Sequence, residues 1–156
     1  LTIALTSPVT GAAQTGLTSP TFTVTADTAP PGNPGKQYAV TALGGTQSGV
    51  VTHSVAAPFT TNFTRPAILK TLGPLNPITN VPRATAPNKY SQITRKGVLP
   101  LAGQPYQVMV ARTDTEVPAG ADVADPTSVR SCLSFHNGAM AQQSAGYGDT
   151  CVNGIL

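Results

Sequence analysis

Side chains able to do acid–base or nucleophilic chemistry are few: His53 and His136, Cys132 and Cys151, and six acids in 156 residues. A covalent mechanism needs a nucleophile beside a base that is itself oriented. No G-x-S-x-G turn supplies one. Asp114 and Glu116 sit two apart among threonines and make no flanking pair for glycoside chemistry. His136 falls on the apolar stripe of a helix, where a hydrogen-bonded core histidine is the simpler reading than a general base. Cys132 and His136 are one helical turn apart, yet two ligands do not complete a tetrahedral metal set. Asn62-Phe63-Thr64 matches a glycosylation sequon, a three-residue pattern common by chance. An enzyme, a cofactor, a bound metal and a small-molecule substrate are therefore not expected.

Charge placement is more informative than charge total. Between Thr28 and Thr113 there is no Asp or Glu, while Lys36, Arg65, Lys70, Arg83, Lys89, Arg95, Lys96 and Arg112 all fall there. A continuous basic segment of this kind suits an anionic partner. A basic face that only keeps the chain in solution would have the same composition.

These side chains must be held by elements that the pattern predicts. LTIALT (1–6) and TFTVTA (21–26) alternate with period two and read as an antiparallel pair. APPGNPG (29–35) is irregular. KQYAVTAL (36–43) and GVVTHSV (49–55) flank Gly44-Gly45 and read as a second hairpin. FTTNFT (59–64) is a further strand, and the proline-rich 65–87 segment a long loop of the kind that is uncommon without a function or a supporting neighbour. NKYSQITRKG (88–97) and PYQVMVARTDTEV (105–117) are the last strands. A helix then opens on Asp125 as N-cap with Pro126 in the first turn. Val129, Cys132, Leu133, His136 and Met140 form its apolar stripe, with Arg130, Ser134 and Asn137 opposite, until Gly146 and Gly148 end the period.

Strands followed by a helix predict an α+β fold with an antiparallel sheet. One domain, 1–156, is expected, with hairpin and sheet over 1–117 and a helical segment over 125–156. Charged residues are 10% and aromatic residues 5% of the chain, with no tryptophan, so a lone subunit buries a thin core and an obligate oligomer is expected. No run reaches the roughly 18 apolar residues of a membrane span, and LTIALTSP is too short and lacks the basic start of a secretory leader.

On a strand, alternate residues share a face. Tyr90, Gln92, Thr94 and Lys96 line one surface, and Tyr106 and Arg112 are placed beside them on the next strand. Cations for phosphate and tyrosines for stacking make these six the candidate RNA contacts. The opposite face of the same strand carries Lys89, Ser91 and Arg95, which are nearly as polar.

From VPAGADVADPTSVRSCLSFHNGAMAQQSAGYGDTCVNGIL (117–156) the chain resembles the coat proteins of single-stranded RNA bacteriophages, the leviviruses and their relatives. The likeness lies in the acidic-proline helix start, the helix S-x-x-x-x-L-S-x-x-x-G-A, the QQSAG that follows and the G-D-T-x-V-x-G-I-L ending. The upstream KYSQITRKGVLPLAGQPYQVMVART also looks familial, and the 65–87 loop is longer than in compact members.

The resemblance implies an N-terminal β-hairpin and antiparallel β-sheet followed by C-terminal helical segments, in an intertwined dimer. Two subunits would join edge to edge with each helix crossing the partner's sheet. Val129, Leu133, His136 and Met140 would then lie in the dimer interface, and Cys151, Val152, Ile155 and Leu156 would be covered. The sheet face opposite the helices would line an icosahedral shell, a virion assembled in the bacterial cytoplasm. There it would meet genomic RNA and, as in studied relatives, an RNA hairpin whose binding represses translation.

A reducing cytoplasm favours free, buried thiols at Cys132 and Cys151 over a disulfide. The rival reading is a secreted β-rich adhesion or fimbrial subunit, which would show an export signal and a disulfide closing a β-sandwich. A small hydrolase using His136 is a more distant third.

Overall fold

The computed structural model describes residues 2–27 and 34–156; most of the APPGNPG segment lies outside them. Six strands come first and three helices after: β1 (Val9–Thr10), β2 (Thr18–Asp27), β3 (Gly35–Thr46), β4 (Phe59–Thr64), β5 (Pro87–Val98), β6 (Gln107–Pro118), α1 (Ala121–Ala124), α2 (Pro126–Gln142) and α3 (Ser144–Asn153). The strands form one antiparallel sheet in sequence order, β1-β2-β3-β4-β5-β6. Every neighbour in the sheet is a neighbour in sequence, so the α+β arrangement expected from the strand-then-helix order is present.

Threonine, valine and tyrosine at alternate positions suit these strands. β5 and β6 pair over their whole length without a slip, from Pro87 opposite Pro118 to Val98 opposite Gln107. β2 and β3 shift register between Thr23 and Val24, a bulge that adds twist.

Three expectations are corrected. Residues 2–6 form no strand, and only Val9 and Thr10 pair with β2. This early segment is fixed instead by side chains: Lys36 Nζ donates to the Ile3 carbonyl at 2.7 Å and Ser7 Oγ accepts from Val24 N at 3.1 Å. Residues 49–55 are not a strand either, because Gly44-Gly45 is not a turn. β3 runs through both glycines, where the neighbouring strand comes so close that a Cβ on Gly44 would strike the Thr21 hydroxyl and one on Gly45 the Ser19 carbonyl. β3 therefore turns later and pairs with β4.

The third correction concerns the tail. Gly146 and Gly148 lie inside α3, which Gln143 alone separates from α2. Asp125 does cap α2, its carboxylate accepting from Ser128 N at 3.1 Å with Pro126 in the first turn. The short α1 before it carried no periodic signal.

Few side chains are deeply covered. Among the described residues the buried apolar ones are Ala39, Val40, Ala57 and Ala119. Phe22 and Phe59 meet edge to face at 5.7 Å between ring centres, half-buried on one side of the sheet. Among the described residues no helix is long and apolar enough to cross a membrane.

Candidate functional site

Residues directly opposite on antiparallel strands share a face, so the strand register sorts the sheet into two surfaces. Tyr90, Gln92, Thr94 and Lys96 stand opposite Thr115, Thr113, Ala111 and Met109 on β6, and the last three opposite Phe63, Thr61 and Phe59 on β4. Lys89, Ser91, Ile93 and Arg95 stand opposite Glu116, Asp114, Arg112 and Val110. The first set carries the aromatic rings and the second most of the free polar groups.

The helices choose between these surfaces. A groove of about 810 Å³ lies between α2 and the sheet, lined by Phe63, Tyr90, Gln92, Thr113 and Thr115 below and by Val129, Leu133 and Asn137 above. The aromatic surface is thus the helix side, and the Lys89–Arg95 surface is the open side. At its far end the helical arm is tied back to the β1–β2 turn: Gln14 Nε2 donates to both Ser144 O and Ser144 Oγ at 2.8 Å, and Thr15 Oγ1 donates to Asp149 at 2.9 Å. The 17 residues of α2 span about 25 Å, close to the width of six strands spaced about 4.8 Å apart.

The six candidate RNA residues do not share a surface. Tyr90, Gln92, Thr94 and Lys96 stand on the helix side, whereas Arg112, opposite Ile93, is on the open side. The error has a simple cause: period two groups residues within a strand but does not phase one strand against the next without the register. Tyr106 precedes β6 and lines a small depression of about 260 Å³ with Lys96, Val51 and Leu99.

Lys96 is the most engaged of the six. Its ammonium donates to the carbonyls of Val51 and Gly97, each at 3.1 Å, and stands 4.9 Å over the Phe59 ring. Partial burial lowers its pKa from the ordinary lysine value. A lysine so used holds the β5 end against the 47–58 segment and has little left to offer a phosphate.

On the open side the charges are unevenly matched. Lys89 Nζ lies 3.1 Å from Asp114 Oδ2, the one ion pair among the described residues, and the Ser91 hydroxyl also donates to Asp114. The Ser91 and Lys89 hydrogen bonds hold the Asp114 carboxyl below the usual carboxylate range. Arg95 and Arg112 form no close ion pair among the described residues, although the Arg112 charge also acts on Asp114.

The four helix residues divide as well. Val129 and Leu133 face the groove, while His136 and Met140 are exposed in the single chain. Asn137, assigned above to the polar side, lines the groove. Cys132 and Cys151 are unbonded and exposed in the single chain, where buried thiols were expected. The apolar tail is uncovered too, with Val152, Ile155 and Leu156 exposed.

No protein-family model and no curated protein matches the sequence. A solved structure does, one described as "Virus-like particle of bacteriophage ESE020". The chain superposes on it with a TM-score of 0.95 over 99% of this chain and 100% of that one, at 53% sequence identity.

The chain belongs to the family of bacteriophage coat proteins. Its role is structural and not enzymatic, that of a capsid subunit in a virion. The single sheet and the free cysteines of this coat protein also differ from the disulfide-closed sandwich of the fimbrial reading. What sequence reasoning missed is the open edge of β6. β6 pairs with β5 on one side only, and Val108, Met109 and Val110 are about half exposed along it. A strand pattern shows that a strand exists, but not that it ends a sheet.

Proposed function

We propose that this coat protein belongs to a single-stranded RNA bacteriophage and that its copies pair into dimers which close into an RNA-filled icosahedral shell. The dimer joins two sheets edge to edge through β6. Each subunit's helical arm interlocks with the other's over the helix side. The open groove under Val129 and Leu133, the exposed tail at Val152, Ile155 and Leu156, and the exposed thiols all lie where a second copy would cover them. The thin core supports the same reading, since four small buried apolar side chains leave most stabilising burial to the partner.

The single observation that carries the RNA part is the division of the sheet. The helix side carries the rings of Phe59, Phe63 and Tyr90 and faces the helical arm, and the open side carries Arg95 and Arg112 beside Ser91 and the Lys89–Asp114 pair. In the resembling coat proteins the face opposite the helices lines the shell interior. The genome contacts therefore centre on Arg95 and Arg112 and not on Tyr90 and Lys96. Repression of translation through an RNA hairpin is part of the same reading, on the same face.

Expression of the chain alone, followed by electron microscopy and the 260/280 nm absorbance ratio, tests it. Closed, nucleic-acid-containing shells are expected. A monodisperse monomer free of RNA at micromolar concentration overturns the dimer and shell. Empty shells overturn the RNA assignment alone.

A further inference from the structure

We propose that two copies meet β6 to β6 in one antiparallel register, centred on Thr113 and locked by two reciprocal ion pairs between Arg112 of one copy and Asp114 of the other. This rests on the edge-to-edge dimer proposed above and specifies how the edges fit. β6 is a 12-residue edge strand with no bulge in its pairing to β5 and no proline before Pro118, so a full row of outward N–H and C=O groups awaits a partner. A protein that leaves such an edge bare is open to uncontrolled pairing. A second β6 satisfies it.

Symmetry limits the choices. Two sheets that continue one another with all helices on one side are related by a two-fold axis perpendicular to the sheet, which keeps each residue on its own face. Only residues of the same parity can then stand opposite one another, and the centre must fall on a residue. Centring on Arg112 sets Arg112 against its own copy; centring on Asp114 matches Arg112 with Glu116 twice but sets Asp114 against its own copy at the axis, so both place like charges together. A centre at Thr115 opposes Asp114 to Glu116 and leaves much of the strand unpaired. A centre at Ala111 sets Arg112 against Val110 and Asp114 against Val108, with no ionic match.

Centring on Thr113 sets Arg112 against Asp114 twice and pairs the strand from Val108 to Pro118, all but its first residue. Both members of the pair stand on the open side, Arg112 opposite Ile93 and Asp114 opposite Ser91. Arg112 brings a guanidinium with no acid of its own chain bound among the described residues. Asp114 already accepts from Ser91 and Lys89 and has lone pairs left for a guanidinium. On the helix side the same register sets Ala111 against Thr115 and Met109 against Val117, small and apolar pairs beneath the interlocked arms. Thr113 faces its own copy.

The test is made on assembled particles. Thr113→Cys should form a disulfide to itself across the axis on air oxidation, seen by peptide mapping as a 113–113 link separate from any involving Cys132 or Cys151. Directly opposite residues lie about 4.5–5.5 Å apart, inside the disulfide window of about 4.4–6.8 Å. Arg112→Asp and Asp114→Arg should each weaken dimerisation at least about tenfold by setting like charges together, and the double reversal should restore it. Dimers that link through Ala111→Cys or Thr115→Cys and not through Thr113→Cys overturn the register while the edge-to-edge dimer stands. Dimers that link through none of the three, with charge reversals lacking any effect, overturn the β6 contact itself.

Discussion

Asn88 holds the peptide of Lys70 by both ends. Its Oδ1 accepts from Lys70 N at 2.8 Å and its Nδ2 donates to Lys70 O at 3.0 Å, although 18 residues separate the two. Asn88 is 5% exposed, so this clamp draws the proline-rich β4–β5 loop onto the root of β5. Leu72 then lies over Gly120, so that a Cβ there would sit 3.4 Å from Leu72 Cβ. Further out, Asn76 Oδ1 accepts from Ile78 N at 2.9 Å, and Asn76 N donates to Val81 O at 2.9 Å. The loop is thus built, and it ends on exposed Ile78.

Asn88→Ala removes two hydrogen bonds from a covered site and leaves Lys70 unpaired. A loss of about 2 kcal/mol is expected, two ordinary net contributions of about 1 kcal/mol each, measured by urea denaturation. Asn88→Asp keeps the acceptor but sets a carboxylate oxygen against the Lys70 carbonyl in a covered site, so its loss should be at least as large. An unchanged midpoint for Asn88→Ala contradicts the clamp.

The start of α2 gives a pH dependence. The Ser128 side chain and then the Ser128 backbone N–H, both hydrogen-bonding to the Asp125 carboxylate, hold its pKa below the usual carboxylate value. Because the folded pKa is depressed, the capping contribution is fully present above the unfolded value of about 3.9. It is lost as pH falls from there through the folded pKa. Asp125→Ser keeps a capping oxygen and cannot titrate, so it should show less loss of stability between about pH 4.5 and 2.5 than the parent chain. Parallel curves for the two proteins would show that the cap does not titrate as described.

How much of this was legible depended on what each signal encodes. FTTNFT and the last two strands announced themselves because threonine and β-branched residues alternate with larger side chains there, and turn residues bound each run. Asp125-Pro126 announced the helix for a local reason, the cap. Gly44-Gly45 misled because a glycine pair marks either a turn or two backbones in close approach, and only the neighbour β2 distinguishes them. Gly146 and Gly148 misled for the opposite reason. Glycine in a helix costs about 1 kcal/mol each, which the Gln14 and Thr15 hydrogen bonds to α3 can offset. For the candidate site, the sequence could not show that Arg112 stands on the other surface from Tyr90, Gln92, Thr94 and Lys96, nor which surface the helices face, because both are set by pairing and packing between distant parts of the chain.

Leu133 tests the helix side. It lies over the groove beside Val129, while Arg130 is exposed. If a second copy covers this side as proposed, Leu133→Asp places an unpaired charge beneath it and should abolish soluble dimer. Arg130→Ala should change stability by no more than about 0.5 kcal/mol, an ordinary surface effect. Size-exclusion chromatography and thermal unfolding read the pair. Equal effects of the two substitutions would mean that this stripe does not face the dimer.

The open side is tested by two neighbours on one strand. Arg95 and Lys96 are adjacent in β5 and point to opposite sides, with Arg95 opposite Val110 and Lys96 opposite Met109. If RNA lies on the open side, Arg95→Ala should cut packaged RNA and flatten the dependence of RNA affinity on salt. The log–log slope should fall by about 0.7, the share of one neutralised phosphate on a single strand. Lys96→Ala should leave that slope unchanged. Its effect should appear in stability instead, because Lys96 holds the Val51 and Gly97 carbonyls and covers Phe59. The measurement is RNA binding by purified dimers across a salt series, with thermal unfolding in parallel. A flattened slope for Lys96→Ala together with a parent-like slope for Arg95→Ala would place the RNA on the helix side and reverse the assignment of the two faces.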